Sequence, residues 1–168
     1  MPRPRLVLLD FDGVLASYSH VVRFAHLARS AGCSSAHVRR ALMDEGLEAR
    51  YDAGLLSTGE YLHQLGDALG APIDAETWCA ARRASTHVDP DTEACVSALA
   101  GRVAVGILSN NGLLMCEVIR ALVPSWFPRL DGAMLLSGAL EGGGLGLDAR
   151  QAEESAALQR ILSDAGLA

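Results

Sequence analysis

The chain has 168 residues, half of them apolar and a fifth charged, with a net charge of −6 at pH 7 and 14 basic residues, all of them arginine. That length suits one ordinary domain, or a core carrying a modest insertion, and it can bury roughly 70% of its unfolded surface. The acidic balance and the lack of a basic stripe argue against a nucleic-acid partner, and no apolar run approaches the ~20 residues of a membrane span. Met1-Pro2-Arg3-Pro4-Arg5 leads directly into a short strand rather than a signal peptide, so the expectation is a cytoplasmic protein with no membrane association. Cys33, Cys79, Cys95 and Cys116 form no Cys-x-x-Cys pair and read as reduced. Cys33 and His37 stand four apart on a helical pattern, but further zinc ligands are lacking.

The first element is Leu6-Val7-Leu8-Leu9. Four apolar residues without polar alternation fit a strand buried on both faces of a parallel sheet. Asp10-Phe11-Asp12-Gly13-Val14-Leu15 follows at its carboxyl end, where ligands bind in open α/β sheets. Asp12-Gly13 alone is ordinary turn chemistry; a second aspartate at the strand tip is not explained by a turn. A carboxylate can split one hard displacement into two easier ones, and a neighbouring carboxyl can carry the proton. Two carboxylates facing an anionic group repel it, so chemistry on such a group calls for a hard cation such as Mg²⁺ between them, held by Asp10 and Asp12.

The stretch resembles the first motif of the haloacid dehalogenase-like (HAD) hydrolases, an apolar strand followed by Asp-x-Asp-Gly-[Val/Thr]. The resemblance implies that Asp10 attacks phosphorus and that Asp12 is the general acid and base. It also implies an α/β fold with a Rossmann-like parallel sheet and an inserted helical-bundle cap.

From Ser17 to about Ala84 the signals are helical. Val21, Val22, Phe24, Ala25, Leu27 and Ala28 mark one helix ended by Gly32, and Ser34 or Ser35 caps a second through Val38, Ala41, Leu42 and Leu47. Ser57 and Glu60 form a capping-box pattern opening a third through Leu69, and Asp74 caps a fourth from Ala75 to about Ala84. About four helices are therefore expected, dividing the chain into a cap over 17–84 and a core over 1–16 and 85–168. Tyr18, His20 and Arg23 read as solvated or core-satisfied. Arg50 could fork onto a substrate oxyanion.

Asp89 or Asp91 should cap a helix that ends at Gly101. Val103-Ala104-Val105-Gly106-Ile107-Leu108 is a second buried strand, closing in Ser109-Asn110-Asn111-Gly112. The resemblance implies that Ser109 and Asn110 hold the transferring phosphoryl group, and the following helix points its positive end at the same crevice. Leu113–Leu122 reads as a helix and Ala133–Leu136 as a third strand.

Beyond it the resemblance implies a lysine followed by proline. Ser137-Gly138-Ala139-Leu140-Glu141-Gly142-Gly143-Gly144 contains neither, and its glycines are not a Walker loop. Arg129 or Arg150 could substitute for the charge, although an arginine fork is not equivalent to an ammonium. A final helix is expected over 149–165, with no counterpart of the family's last acidic motif after Leu167, so the sheet reads as truncated after its third strand. Leu6–Leu9 would then form an exposed apolar edge, to be masked by the C-terminal helix, a homodimer or another partner. Two functions follow as expectations: a Mg²⁺-dependent phosphatase acting on a small phosphorylated metabolite, or an incomplete, non-catalytic HAD-like protein that binds a ligand or a protein partner.

Overall fold

The computed structural model describes residues 6–127, 129–130 and 133–140. The elements in chain order are β1 (Leu6–Leu9), β2 (Ser17–Tyr18), α1 (His20–Ala31), α2 (Ser35–Arg39), α3 (Leu47–Asp52), α4 (Thr58–Leu69), α5 (Ala75–Ser85), β3 (Thr86–His87), α6 (Pro90–Ala100), β4 (Ala104–Ser109), α7 (Met115–Leu122), β5 (Met134–Leu136) and α8 (Ser137–Leu140). The fold is α/β. β1, β4 and β5 form a parallel sheet in the order β1-β4-β5, with Leu6 opposite Ala104, Leu9 opposite Ile107 and Ser109 opposite Leu136. Parallel neighbours require crossovers, and helices supply them. One result is that the carboxyl ends of β1 and β4 lie side by side.

β1 pairs only with β4 among the described residues, and its four side chains are half-buried, not fully buried as the apolar run suggested. The reason is its edge position, which leaves one flank without a strand neighbour among these residues. The expected C-terminal helix, the glycine run 141–146 and Arg150 lie outside the described residues. The central strand is better covered: Val105 and Ile107 are buried, together with Met115, Val118 and Ile119 from α7.

The helical insertion is built by local signals. Ser19, Ser34 and Asp74 accept hydrogen bonds from the N–H groups of Val22, His37 and Thr77. Ser57 and Glu60 make both halves of their capping box. Each such cap stabilises a helix by ~1 kcal/mol. Gly32 and Gly70 end α1 and α4.

Five helices occur here instead of four. α2 runs into a wider π turn over Arg40–Asp44, and Gly46, in a left-handed conformation, then starts a new short helix at Leu47. Leu47 therefore belongs to α3, not to the helix capped by Ser34. The interior of the insertion is partly ionic. Arg23 is 2% exposed and binds both carboxylate oxygens of Glu48, at 2.7 and 3.0 Å. The Tyr61 hydroxyl donates to Glu48 at 2.7 Å and accepts from the Trp78 ring N–H at 2.9 Å. A buried pair survives when both carboxylate oxygens are matched and neighbours add further bonds, as Tyr61 does here, although Arg23 Nε has no partner among the described residues.

The two ends of the insertion are tied together by an antiparallel ribbon, Ser17 opposite His87 and Tyr18 opposite Thr86. Strands of two residues leave no periodicity to read in the sequence. The ribbon sets the last turn of α5 above the tips of β1 and β4.

Candidate active site

Asp10 is exposed at the end of β1, and one of its carboxylate oxygens accepts the Phe11 N–H at 2.7 Å. The Phe11 side chain is fully buried, and its carbonyl accepts the N–H groups of Leu15 and Ala16, both at 2.9 Å. Gly13 adopts φ +81°, a left-handed conformation that other residues rarely reach, and its N–H closes the turn onto Ala16 at 2.7 Å. The motif is thus an anchored loop with the two carboxylates on either side of an inward-turned phenylalanine.

Asp12 sits at the centre of a polar cluster. Its Oδ2 accepts from Arg82 Nη2 at 2.6 Å and from Asn111 Nδ2 at 3.1 Å. Asn111 Nδ2 also donates to Ser109 Oγ at 2.9 Å, while Asn111 Oδ1 accepts from Arg82 Nη2 at 3.2 Å. The guanidinium is 4.0 Å from the Tyr18 ring centroid, a cation–π contact, and Arg82 as a whole is 2% exposed. Two atoms of the cluster are buried with no hydrogen-bond partner among the described residues: Asp12 Oδ1 and Arg82 Nε. Such groups are rare and costly in folded proteins.

A cavity of about 370 Å³ opens over this cluster. Asp12, Arg82, Asn110 and Asn111 line it, together with Tyr18, His20, Leu42, Met43, Glu48 and Asp52. The His20 pKa is lowered, first by burial and then by Arg23 and Arg82, which keeps the imidazole neutral at pH 7. Asp52 is pushed up to about 7 by burial and by the nearby Glu48 carboxylate, against a hydrogen bond from the Gly112 N–H at 2.7 Å. A larger depression of about 500 Å³ lies at the end of α4 beside His63, Asp67 and Pro72. It holds only an exposed His63–Asp67 pair, and we place the site at the smaller cavity, where buried charges converge.

The insertion and the segment after β5 both grip the site loop closely. Ser137 Oγ donates to the Asp52 carbonyl at 2.6 Å, the Gly138 N–H to the Asn111 carbonyl at 3.2 Å, and the Leu114 N–H to the Tyr51 hydroxyl at 3.0 Å. A Cβ on Gly138 would lie 3.0 Å from Gly112 Cα. The segment directly after β5, where the resemblance implied a lysine, is therefore occupied by tight backbone packing.

Asp12, Ser109 and Asn110 fall at one place, with Asp10 at the adjacent strand tip. Asn110 is exposed on the cavity wall, and the amide that bonds Ser109 and Asp12 is that of Asn111. Arg50 does not join them; it is exposed and bonds Gln64 at 3.0 Å. Arg129 does not either, since it borders a separate crevice with Val96, Ser97 and Trp126. The cation at the site is Arg82, and Arg82, Asn111 and Asp52 were not foreseen. The one available signal was Arg82-Arg83 standing in the last turn of α5, just before the chain returns to the core.

No family model matches the sequence, and no curated protein is significantly similar to it. Solved structures are similar in fold. A HAD family enzyme from Bacteroides thetaiotaomicron superposes with a TM-score of 0.67 at 14% identity, over 98% of this chain and 79% of that one. A predicted HAD-like family hydrolase from Porphyromonas gingivalis gives 0.66 at 16% identity, over 98% and 77%. The wild-type Bacteroides enzyme in complex with magnesium and inorganic phosphate gives 0.67 at 14% identity, over 97% and 79%. The fold of this chain is that of the haloacid dehalogenase-like hydrolases.

Proposed function

We propose that this protein is a Mg²⁺-dependent phosphohydrolase that removes phosphate from a small phosphorylated metabolite. One observation carries the reading: Asp12, just past the end of β1, meets Asn111 and through it Ser109 at the end of the parallel neighbour β4, beneath a cavity lined by the helical insertion, with Asp10 at the adjacent strand tip. A solved structure of the same fold holds magnesium and inorganic phosphate. The insertion over 17–84 is the cap and the remainder the core.

In this reading an Asp10 carboxylate oxygen attacks phosphorus while the bond to the leaving oxygen breaks. Asp12 gives that oxygen its proton. Asp12 then takes a proton from the water that attacks the aspartyl-phosphate, which releases phosphate and regenerates Asp10. Ser109 and Asn110 hold the phosphoryl oxygens. The residues fit Mg²⁺: Asp10 offers an exposed carboxylate and Asp12 a buried oxygen without a partner. Among the described residues no group of three or more His, Cys, Asp or Glu is placed to hold a metal, but Mg²⁺ commonly needs only one or two carboxylates beside water and substrate phosphate. Bound there, Mg²⁺ would neutralise the charge between carboxylates and phosphate.

A second reading, a ligand-binding protein without turnover, draws on the Arg82–Asp12 ion pair, which keeps Asp12 engaged. Hydrolysis of a generic aryl phosphate, with and without Mg²⁺, separates the two. The enzyme reading expects Mg²⁺-dependent release that Asp10→Asn abolishes; equal background rates in both proteins would sink it. No described helix is long and apolar enough to cross a membrane. The cytoplasm is the proposed location, with a second copy or another partner over the β1 edge.

A further inference from the structure

We infer that Arg82 is the phosphate-binding cation of this site, held on Asp12 until the phosphate of a phosphomonoester takes it over. The inference rests on the phosphohydrolase reading for its ligand and adds the residue that recognises it.

The argument starts from what Arg82 leaves unused. Among the described residues its guanidinium makes three hydrogen bonds, all from Nη2: to Asp12 Oδ2 at 2.6 Å, to Asn111 Oδ1 at 3.2 Å and to the Met115 sulfur at 3.3 Å. Nε is buried and has no partner. A guanidinium presents five donors in a planar fork matched to two oxygens of a carboxylate or phosphate. Here one nitrogen does the work of the fork. Asp12 mirrors this, with Oδ2 accepting two bonds and Oδ1 buried and bare. An unpartnered Nε is common to Arg23 and Arg82, but Arg23 engages both oxygens of Glu48 whereas Arg82 engages one of Asp12, and single-arm pairing leaves the second carboxylate oxygen desolvated and uncompensated.

Position supports the same role. Tyr18 packs against the guanidinium at 4.0 Å, and both residues line the 370 Å³ cavity with Asp12 and Asn111. No other arginine or histidine is bonded to the Asp12–Asn111–Ser109 group among the described residues. Arg23, on the cavity wall, is committed to Glu48 through both of its terminal nitrogens. A dianionic phosphate entering beside two aspartates needs a cation to offset their repulsion, and Arg82 is the buried guanidinium already there. Transfer of the fork to phosphate would also release Asp12 Oδ2 for proton transfer.

Binding of inorganic phosphate, followed by titration calorimetry in chelator-treated, Mg²⁺-free solution, tests this on the full chain. Asp12→Asn, which removes the competing carboxylate, should bind phosphate about tenfold or more tighter than wild type. Adding Arg82→Gln should reverse that gain and weaken binding roughly tenfold to a hundredfold. The double variant buries no unpaired charge, so it tests binding without the folding risk of Arg82→Gln alone; its melting transition checks that. Phosphate binding in the double variant as tight as in Asp12→Asn, or none in either wild type or Asp12→Asn, would overturn the inference. Aryl phosphate turnover is read separately: Arg82-dependent phosphate binding without turnover removes the phosphohydrolase reading and keeps the anion site, whereas turnover with Arg82-independent binding does the opposite.

Discussion

Replacing Asp52 by Asn should stabilise the protein in alkaline solution and do little in acid. Asp52 is the last residue of α3, where a carboxylate opposes the negative end of the helix, and it is half-buried near Glu48. Its pKa rises from 3.8 to about 7 in the fold, chiefly through burial and then through Glu48. The native state therefore keeps a proton that the unfolded chain gives up at lower pH. Stability falls as pH rises through that window, and the penalty is complete above about pH 7. At about 1.4 kcal/mol per pKa unit the upper bound is roughly 4 kcal/mol, reduced by water reaching the carboxylate from the cavity.

Asparagine keeps an oxygen for the Gly112 N–H and carries no charge. Urea unfolding of both proteins from about pH 4 to about pH 8 should show the advantage of Asp52→Asn opening across the acid range and levelling off above neutrality. Other titrating groups are common to both proteins and cancel in the difference. A difference independent of pH, or one that shrinks as pH rises, would refute the reasoning.

Gly112→Ala should be among the most destabilising small changes in the chain. Its Cβ would lie 2.1 Å from the ring of Tyr51, which is 1% exposed and stacked on Tyr61 at 4.1 Å. Overpacking together with loss of the Tyr51 hydroxyl bonds to Thr58 and Leu114 gives about 2–5 kcal/mol, readable as a urea midpoint shift; a loss below ~1 kcal/mol would contradict the packing. Arg23→Ala strands Glu48 in the insertion and should cost about 3–5 kcal/mol, most of it recovered by the further change Glu48→Gln; an Arg23→Ala protein as stable as wild type would contradict the buried pair. Chelation of Mg²⁺ should abolish aryl phosphate hydrolysis and its return restore it, whereas activity indifferent to chelation would remove Asp10 and Asp12 from a metal role.

What could be read in the sequence was short-range. Asp10 and Asp12 stand two apart at the end of one apolar run, and Ser109 ends another, so strand position and chemistry share a few adjacent residues. The caps at Ser19, Ser34, Ser57 and Asp74 are local for the same reason, although the sequence left Ser35 open beside Ser34 and did not single out Ser19 as a cap. The rest of the site is made by distant convergence. Arg82 meets Asp12 across 70 residues and Asp52 meets Gly112 across 60, and no spacing or periodicity encodes either pair. Arg50 and Arg129 were better placed by residue type than by geometry. The extra helix α3 arose because Gly46 turns left-handed after a π turn, a backbone event invisible to a hydrophobic pattern that runs on through Leu47.

The central claim is that Asp10 becomes phosphorylated. Acid quenching during turnover of an aryl phosphate, followed by mass spectrometry of the peptide spanning Leu6–Leu15, tests it directly. The account predicts one added phosphoryl group on Asp10, absent from the Asp10→Asn protein. Turnover with that peptide unmodified, or with the phosphoryl group carried on another residue, would contradict it.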